Sequence, residues 1–348
     1  MTRIDVARWW RAPLVLRHGI PAVVGLGVML AITEGMSEYR NTQLANIAIE
    51  VCAVAGLTIL TGLSGQISLG NGAFMFVGAY TVALLFKHHH TNRNSELVLM
   101  LLAAVVASAM VGGLVGIAAA RLRGPYLAGI TLALAVGLPV LPLYSHLQGP
   151  LGGHSGIHFL VPNPPHGVDY FRWQAWICVI AAAITLFLLA NLSRSRVGRA
   201  FRAVRDDEIA ASLAGLNVAR VQILAFVVSA ACAGLAGGLY AVINGSVGPA
   251  SFPLSLSLGF LAAAVFGGLG TLSGAIYGSI IITLLPSWSQ DLANHVSLSQ
   301  NVVLNLPQLV YGVGLIVGML LFPRGIQGLV RRIGVLGRNT LRTKLAGN

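Results

Sequence analysis

Residues 193–220, SRSRVGRAFRAVRDDEIAASLAGLNVAR, constrain this chain more than any other stretch. They carry six arginines (Arg194, Arg196, Arg199, Arg202, Arg205 and Arg220) and three consecutive acids (Asp206, Asp207 and Glu208), with long apolar runs on both sides. An arginine at the centre of a bilayer costs roughly 2.5 to 3.5 kcal/mol, so six would cost on the order of 15 to 20 kcal/mol. The segment therefore lies in water while its neighbours cross the membrane. A few residues suffice to join two spans, so a connection of this length is expected to carry a function of its own.

The remainder is apolar enough to supply the spans. The chain has 348 residues, 56% of them hydrophobic and only 9% charged, where a soluble domain carries about 25% charged residues. The expected fold is an all-α transmembrane helix bundle, with residues 1–348 forming a single domain. Apolar runs at 20–32, 44–60, 73–86, 97–120, 126–144, 173–192, 221–243, 254–266, 272–285 and 306–322 give about ten spans. Several are shorter than the ~20 residues of a straight span, which makes the expected range eight to ten. Arg3, Arg8, Arg11 and Arg17 precede the first run, and Glu34 and Glu38 follow it without a small-residue cleavage site, so a retained first span is expected.

A net charge of +12 would suit a nucleic-acid partner. The positions of the cations exclude that reading. With the N-terminus cytoplasmic, alternation puts the four N-terminal arginines, Arg121, Arg123, the 193–220 loop and the basic tail at 324–348 on one side. Only Arg40, Lys87, Arg93 and Arg172 fall on the other, as the positive-inside rule requires. Both termini are therefore expected in the cytoplasm. Cys52, Cys178 and Cys232 lie within apolar runs and read as small buried hydrophobes. The histidines outside the cytoplasmic set fall in solvated outer loops, and no metal ligand set is expected.

Two glycine-rich interruptions, TGLSGQISLGNG at 61–72 and GGLGTLSG at 267–274, are poor helix formers. Each reads either as a tight cytoplasmic turn or as a broken helix whose ends line a pathway. The Pro- and Gly-rich segment 147–173 is too polar to span and long enough to cap the outer mouth. Glu50 is the one acid within an expected span, a candidate partner for a substrate ammonium or a proton. Its place near the outer end of that run also allows it to snorkel to the interface.

Inside the long loop, Asp206 is expected to cap a short helix over 207–214, with Asp207 and Glu208 in its first turn and Gly215 just past its end. Arg199, Arg202 and Arg205 stack on one face of a preceding basic arm. Ile209, Ala210, Ala211, Ser212 and Leu213 form a small apolar face suited to a groove on another protein.

These stretches, SRVGRAFRAVRDDEIAASLAGL in the loop and GLTILTGLSGQISLGNGAFMFVGAYTVALL at 56–85, resemble the LivM-type permease subunit of bacterial branched-chain amino acid ABC importers. RLRGPYLAGITLAL (121–134), GGHSGI (152–157), GSVGPASF (245–252), GGLGTLSGAIYG (267–278) and LFPRGIQGL (321–329) extend the likeness, in the family's order, over roughly residues 43–332. The resemblance implies a bacterial inner-membrane permease with a second, homologous permease subunit, two cytoplasmic ATPase subunits and an extracytoplasmic substrate-binding protein. It also implies that the loop is the coupling helix, with Ile209-Ala210-Ala211 and Gly215 in the register of the family's E-A-A-x-x-x-G pattern. Glu208 sits one place early in that pattern, Asn71 stands where the family usually has His, and the acid expected after TLAL is missing. The residues implied for ATPase coupling are Arg205, Asp206, Asp207, Glu208, Ile209, Ala210, Ala211 and Gly215. Candidates for the path are Gly65, Gln66, Ser68, Asn71, Gly270, Thr271 and Ser273, with Glu50.

No Gly-x4-Gly-Lys-Ser/Thr motif occurs, so no cofactor is expected in this chain and ATP is left to partner subunits. The implied cargo is a branched-chain or similar small apolar amino acid, with urea, short amides or other amino acids as the alternative. An ion-coupled transporter would normally show several intramembrane acids or histidines, and only Glu50 qualifies. Neither a catalytic residue nor a nucleophile turn is found.

Overall fold

The computed structural model describes residues 27, 29, 33–88, 94–122, 125–162, 164–165, 167–295, 309, 312–313, 316–317 and 325–328. The runs at 20–32 and 306–322 and the basic tail fall almost wholly outside these residues. Helix α1, Glu38–Leu57, continues through a π-helical turn, Thr58–Leu63, in which Ser64 N–H reaches back to Ile59 O. Helices α2 (Asn71–His88), α3 (Asn94–Ala119) and α4 (Pro125–Gly137) follow. The last tightens into a 3₁₀ turn, Leu138–Leu143, where Pro139 and Pro142 supply no N–H for an α-helical ladder. Then come α5 (Tyr170–Arg194), α6 (Arg196–Asp206), α7 (Glu208–Leu213), α8 (Val218–Asn244), α9 (Leu254–Gly267) and α10 (Leu272–His295). Each apolar run expected between residues 44 and 285 coincides with one of these helices. Among the described residues, six helices are long and apolar enough to cross a membrane, and the protein is a helical, multi-pass membrane protein.

Helix α8 is the hub. Its buried positions are dominated by small residues, among them Ala225, Ser229, Ala230, Ala233, Gly234, Ala236, Gly237 and Gly238. Lipid tails are as apolar as leucine, so helices in a membrane gain by close van der Waals approach rather than by leaving water. Small residues permit that approach: Gly78 of α2 lies against the backbone of Gly234, leaving no room for a Cβ. Hydroxyls on the same faces tie helix to helix, as when Ser108 Oγ of α3 donates to Phe74 O of α2 at 3.0 Å. The three cysteines are buried and free.

The connections gather at two ends. One, the loop end, collects 61–70, α6, α7 and the turn 268–271. The other, the cap end, collects the close of α2, the segment 147–168 and the exit of α8. There Ile157–His158 (β1) pairs antiparallel with Ser246–Val247 (β2), the one sheet among the described residues. Phe159 stacks on Phe86 of α2 with ring centroids 5.0 Å apart, and Lys87 Nζ donates to Gly149 O and Pro150 O. The outer segment is thus fastened over the bundle as a cap, through backbone pairing that its Pro and Gly content did not announce.

Candidate functional site

The long loop folds into two short helices against the bundle. Ser195 caps α6, its hydroxyl accepting from Val197 N–H and Gly198 N–H. Phe201 and Val204 are fully buried on one face of α6 while Arg199 and Arg205 stay on the exposed side. Arg202 leans back to donate to Ser193 O at 3.1 Å.

The cap of the second helix is Asp207 rather than Asp206. Asp207 adopts an extended backbone and its Oδ1 accepts from Ile209 N–H at 2.8 Å and Ala210 N–H at 3.0 Å, starting α7 at Glu208. Asp206 remains the last residue of α6, where its Oδ1 takes two bonds from the Arg205 guanidinium at 3.0 and 2.8 Å. Of two adjacent acids, Asp207 takes the cap and Asp206 pairs with the neighbouring arginine. Gly215, with φ of +85°, closes the helix as expected: its N–H bonds Ser212 O and Leu216 N–H bonds Ala211 O. Asn217 then caps α8 through Arg220 N–H.

The apolar face of α7 is narrower than the sequence implies. Ile209 is 71% exposed and Leu213 84%, whereas Ala211 is buried. Ala211 is therefore not on the outward face. Glu208 accepts from Gln222 Nε2 at 3.0 Å, which holds α7 to α8.

Arg205 connects the loop to the first glycine-rich interruption. Its Nη1 donates to Gly62 O at 2.8 Å, at the end of the α1 π-turn. Its aliphatic stem lies over Gly65, where an added Cβ would stand 2.6 Å from Arg205 Cγ. Gly62 in turn packs directly on the backbone of Gly270, in the second interruption; Gly62 has no space for a Cβ, and Gly270 holds a φ of +84° that disfavours any side chain. The two interruptions and the charged loop thus meet at one point. A cavity of about 420 Å³ opens beside it, lined by residues of the π-turn, Ser193, Arg194, Arg202, Gly270 and Ser273.

The expected path residues divide accordingly. Gly65, Gly270 and Ser273 lie at this junction, and Thr271 Oγ1 closes its tight turn by donating to Gly268 O at 2.9 Å. Gln66, Ser68 and Asn71 are buried. Ser68 Oγ accepts from Gly70 N–H at 3.2 Å. Asn71 is a tie among three helices: its Nδ2 donates to Ala53 O at 3.1 Å and its Oδ1 accepts from Ser229 Oγ at 3.2 Å. The segment between α1 and α2 is further held by Leu69 N–H to Thr131 Oγ1 and Gly72 N–H to Ser257 Oγ, both 3.0 Å. Sequence reasoning missed Thr131, Ser229, Ser257 and Gln222; their only signal was a polar side chain in or beside an apolar run. Glu50 lies apart, receiving a hydrogen bond from Thr283 of α10 at 2.9 Å. It sits twelve residues into α1, about 18 Å along the helix from its start at 1.5 Å per residue.

Comparison with known proteins follows the same lines. A family described as branched-chain amino acid transport system / permease component matches residues 42–322. The high-affinity branched-chain amino acid transport system permease proteins LivM of Salmonella typhimurium and of Escherichia coli K12 are each 32% identical over 262 residues, 68% of this chain. The match spans about 60% of the length of those two relatives. The permease protein BraD of Pseudomonas aeruginosa is 28% identical over 254 residues, covering 68% of this chain and 80% of BraD. No solved structure matches.

Proposed function

Because the chain belongs to the branched-chain amino acid transport system permease component family, we propose that it is the LivM-type membrane subunit of an ATP-driven importer in the bacterial inner membrane. Its cargo in this reading is a branched-chain or similarly small apolar amino acid. Its partners are a second, homologous permease, two cytoplasmic ATPase subunits and an extracytoplasmic binding protein that docks over the cap end. The chain itself holds no cofactor and performs no catalysis, and the ATP is hydrolysed by the partners.

The observation that carries this reading is the Arg205 strut. An exposed two-residue apolar anchor, Ile209 and Leu213, stands on a capped helix whose preceding arginine is bonded to the end of α1. When the ATPase pair closes, α7 moves with the groove it occupies. The Asp206–Arg205 pair carries that displacement to Gly62 O, and through the Gly62–Gly270 contact to the turn between α9 and α10. Gly65, Gly270, Thr271 and Ser273 belong to this moving junction in the proposal, with Gln66 and Ser68 in the segment it drags. Asn71 is assigned to holding α1, α2 and α8 together while the junction moves. Gly-rich turns suit this role because backbone meets backbone there, and packed contacts of this kind switch between discrete arrangements.

The test is reconstitution of the chain in proteoliposomes with its second permease, ATPases and binding protein, following leucine uptake. ATP-dependent uptake is expected. Uptake that needs no ATPase and follows a cation gradient overturns the importer reading, and a binding protein that takes urea or short amides instead of amino acids overturns the cargo.

A further inference from the structure

Glu50 of α1 and Thr283 of α10 meet near the middle of both helices. Thr283 Oγ1 has a single hydrogen to donate and lies 2.9 Å from both Glu50 Oε2 and Ser279 O, one turn back on its own helix. Among the described residues the carboxylate therefore has at most a shared hydrogen bond. A carboxylate at this depth is costly unless a cation is paired with it. No resident cation is at hand: residues 41–63, 173–193, 221–244, 254–267 and 272–294, covering α1 and the membrane-crossing parts of the helices around it, contain no Lys, Arg or His. The runs at 20–32 and 306–322 contain none either.

Two further observations point outward from this pair. Glu50 is partly buried as a residue rather than sealed in the core. Ser279, one turn from Thr283 on the same face of α10, is fully buried and its Oγ has no hydrogen-bond partner among the described residues. The site thus offers a carboxyl group and two hydroxyl oxygens, with no donor-rich cation among the described residues around it. A primary ammonium has three N–H donors and one positive charge, the complement of that set.

We propose that Glu50, Thr283 and Ser279 form a mid-membrane way-station for the α-ammonium group of the amino acid in transit. The proposal rests on the importer reading above and narrows it, since urea and neutral amides carry no charge that would need Glu50. The α1–α10 face, rather than the interior of the hub around α8, is then the wall of this chain that the cargo touches. The apolar side chain of the cargo travels along the neighbouring lipid-like surface while its charged end is handed to Glu50.

The experiment uses the complete importer in proteoliposomes with leucine as cargo, comparing wild type, Glu50→Gln, Glu50→Asp and Thr283→Val. Losing a charge-assisted contact is expected to lower ATP-driven uptake by Glu50→Gln by about tenfold or more, with a raised half-saturation for loaded binding protein. Glu50→Asp keeps the charge and retains measurable uptake, and Thr283→Val falls between. Wild-type uptake by Glu50→Gln overturns the proposal while leaving the importer intact. Loss of the assembled complex in both Glu50→Gln and Thr283→Val marks a structural tie between α1 and α10, and overturns it as well. Failure of the wild-type complex to import any amino acid overturns the importer reading itself.

Discussion

Replacing Arg205 with alanine tests whether the loop drives the membrane part of the protein or merely covers it. The substitution removes the Nη1 bond to Gly62 O at 2.8 Å and the paired bonds to Asp206. A hydrogen bond from a charged donor contributes about 1.5 to 3 kcal/mol. The Asp206 pair is largely exposed and adds at most about 1 kcal/mol. The strut is therefore a link of about 2 to 3 kcal/mol, and at ~1.4 kcal/mol per factor of ten its loss shifts a two-state equilibrium about 30-fold or more. If that equilibrium couples α7 to the glycine junction, uptake of leucine per ATP hydrolysed should fall by about tenfold or more in Arg205→Ala. Arg205→Lys, which keeps the charge and hence the topology but cannot reach Gly62 and Asp206 together, should lie between. Both quantities are measured in the same proteoliposomes, so loss of protein cancels from the ratio. A ratio within about twofold of wild type in Arg205→Ala would refute the strut.

Other outcomes follow from the same structure. Ile209→Glu combined with Leu213→Glu should leave the chain in the membrane but abolish co-purification with the ATPase subunits, because both side chains face outward and neither supports the fold. Ala211→Glu, by contrast, should lower the yield of folded protein, since Ala211 is buried. Asn71→Ala removes two buried interhelical hydrogen bonds, each of roughly 0.6 to 1.7 kcal/mol in a membrane. It should lower the thermal transition in detergent by several degrees and orphan Ser229, whose replacement by alanine should then cost little more.

The spans were legible because hydropathy is a property of composition, which no tertiary contact can reverse. The end of α7 was legible too, since a glycine at φ of +85° is a local requirement. Its start was not: Asp206 and Asp207 have equal capping ability, and only the position of Arg205 in three dimensions separates them. Ala211 could not be placed for the same reason, because a six-residue helix has no periodicity long enough to say which side packs. The cap-end ladder of two residues per strand leaves no alternating pattern to read. Asn71 reads as a pathway candidate because it follows an irregular, polar stretch, and its part as a tie among three helices could not be read there. Its partners Ala53 and Ser229 lie 18 and 158 residues away, and no reading of the stretch alone reaches them.

The contact between Gly62 and Gly270 also dictates an order of events as the protein is made. Gly62 enters the membrane about 200 residues before the turn that will cover it, and at 5 to 20 residues per second that is on the order of 10 to 40 s. Throughout that interval the end of α1 has no lid, and Arg205, synthesised partway through, is the first group able to occupy its carbonyl. The arginine proposed to transmit motion would thus serve earlier as a placeholder, keeping the end of α1 tied down until the α9–α10 hairpin arrives.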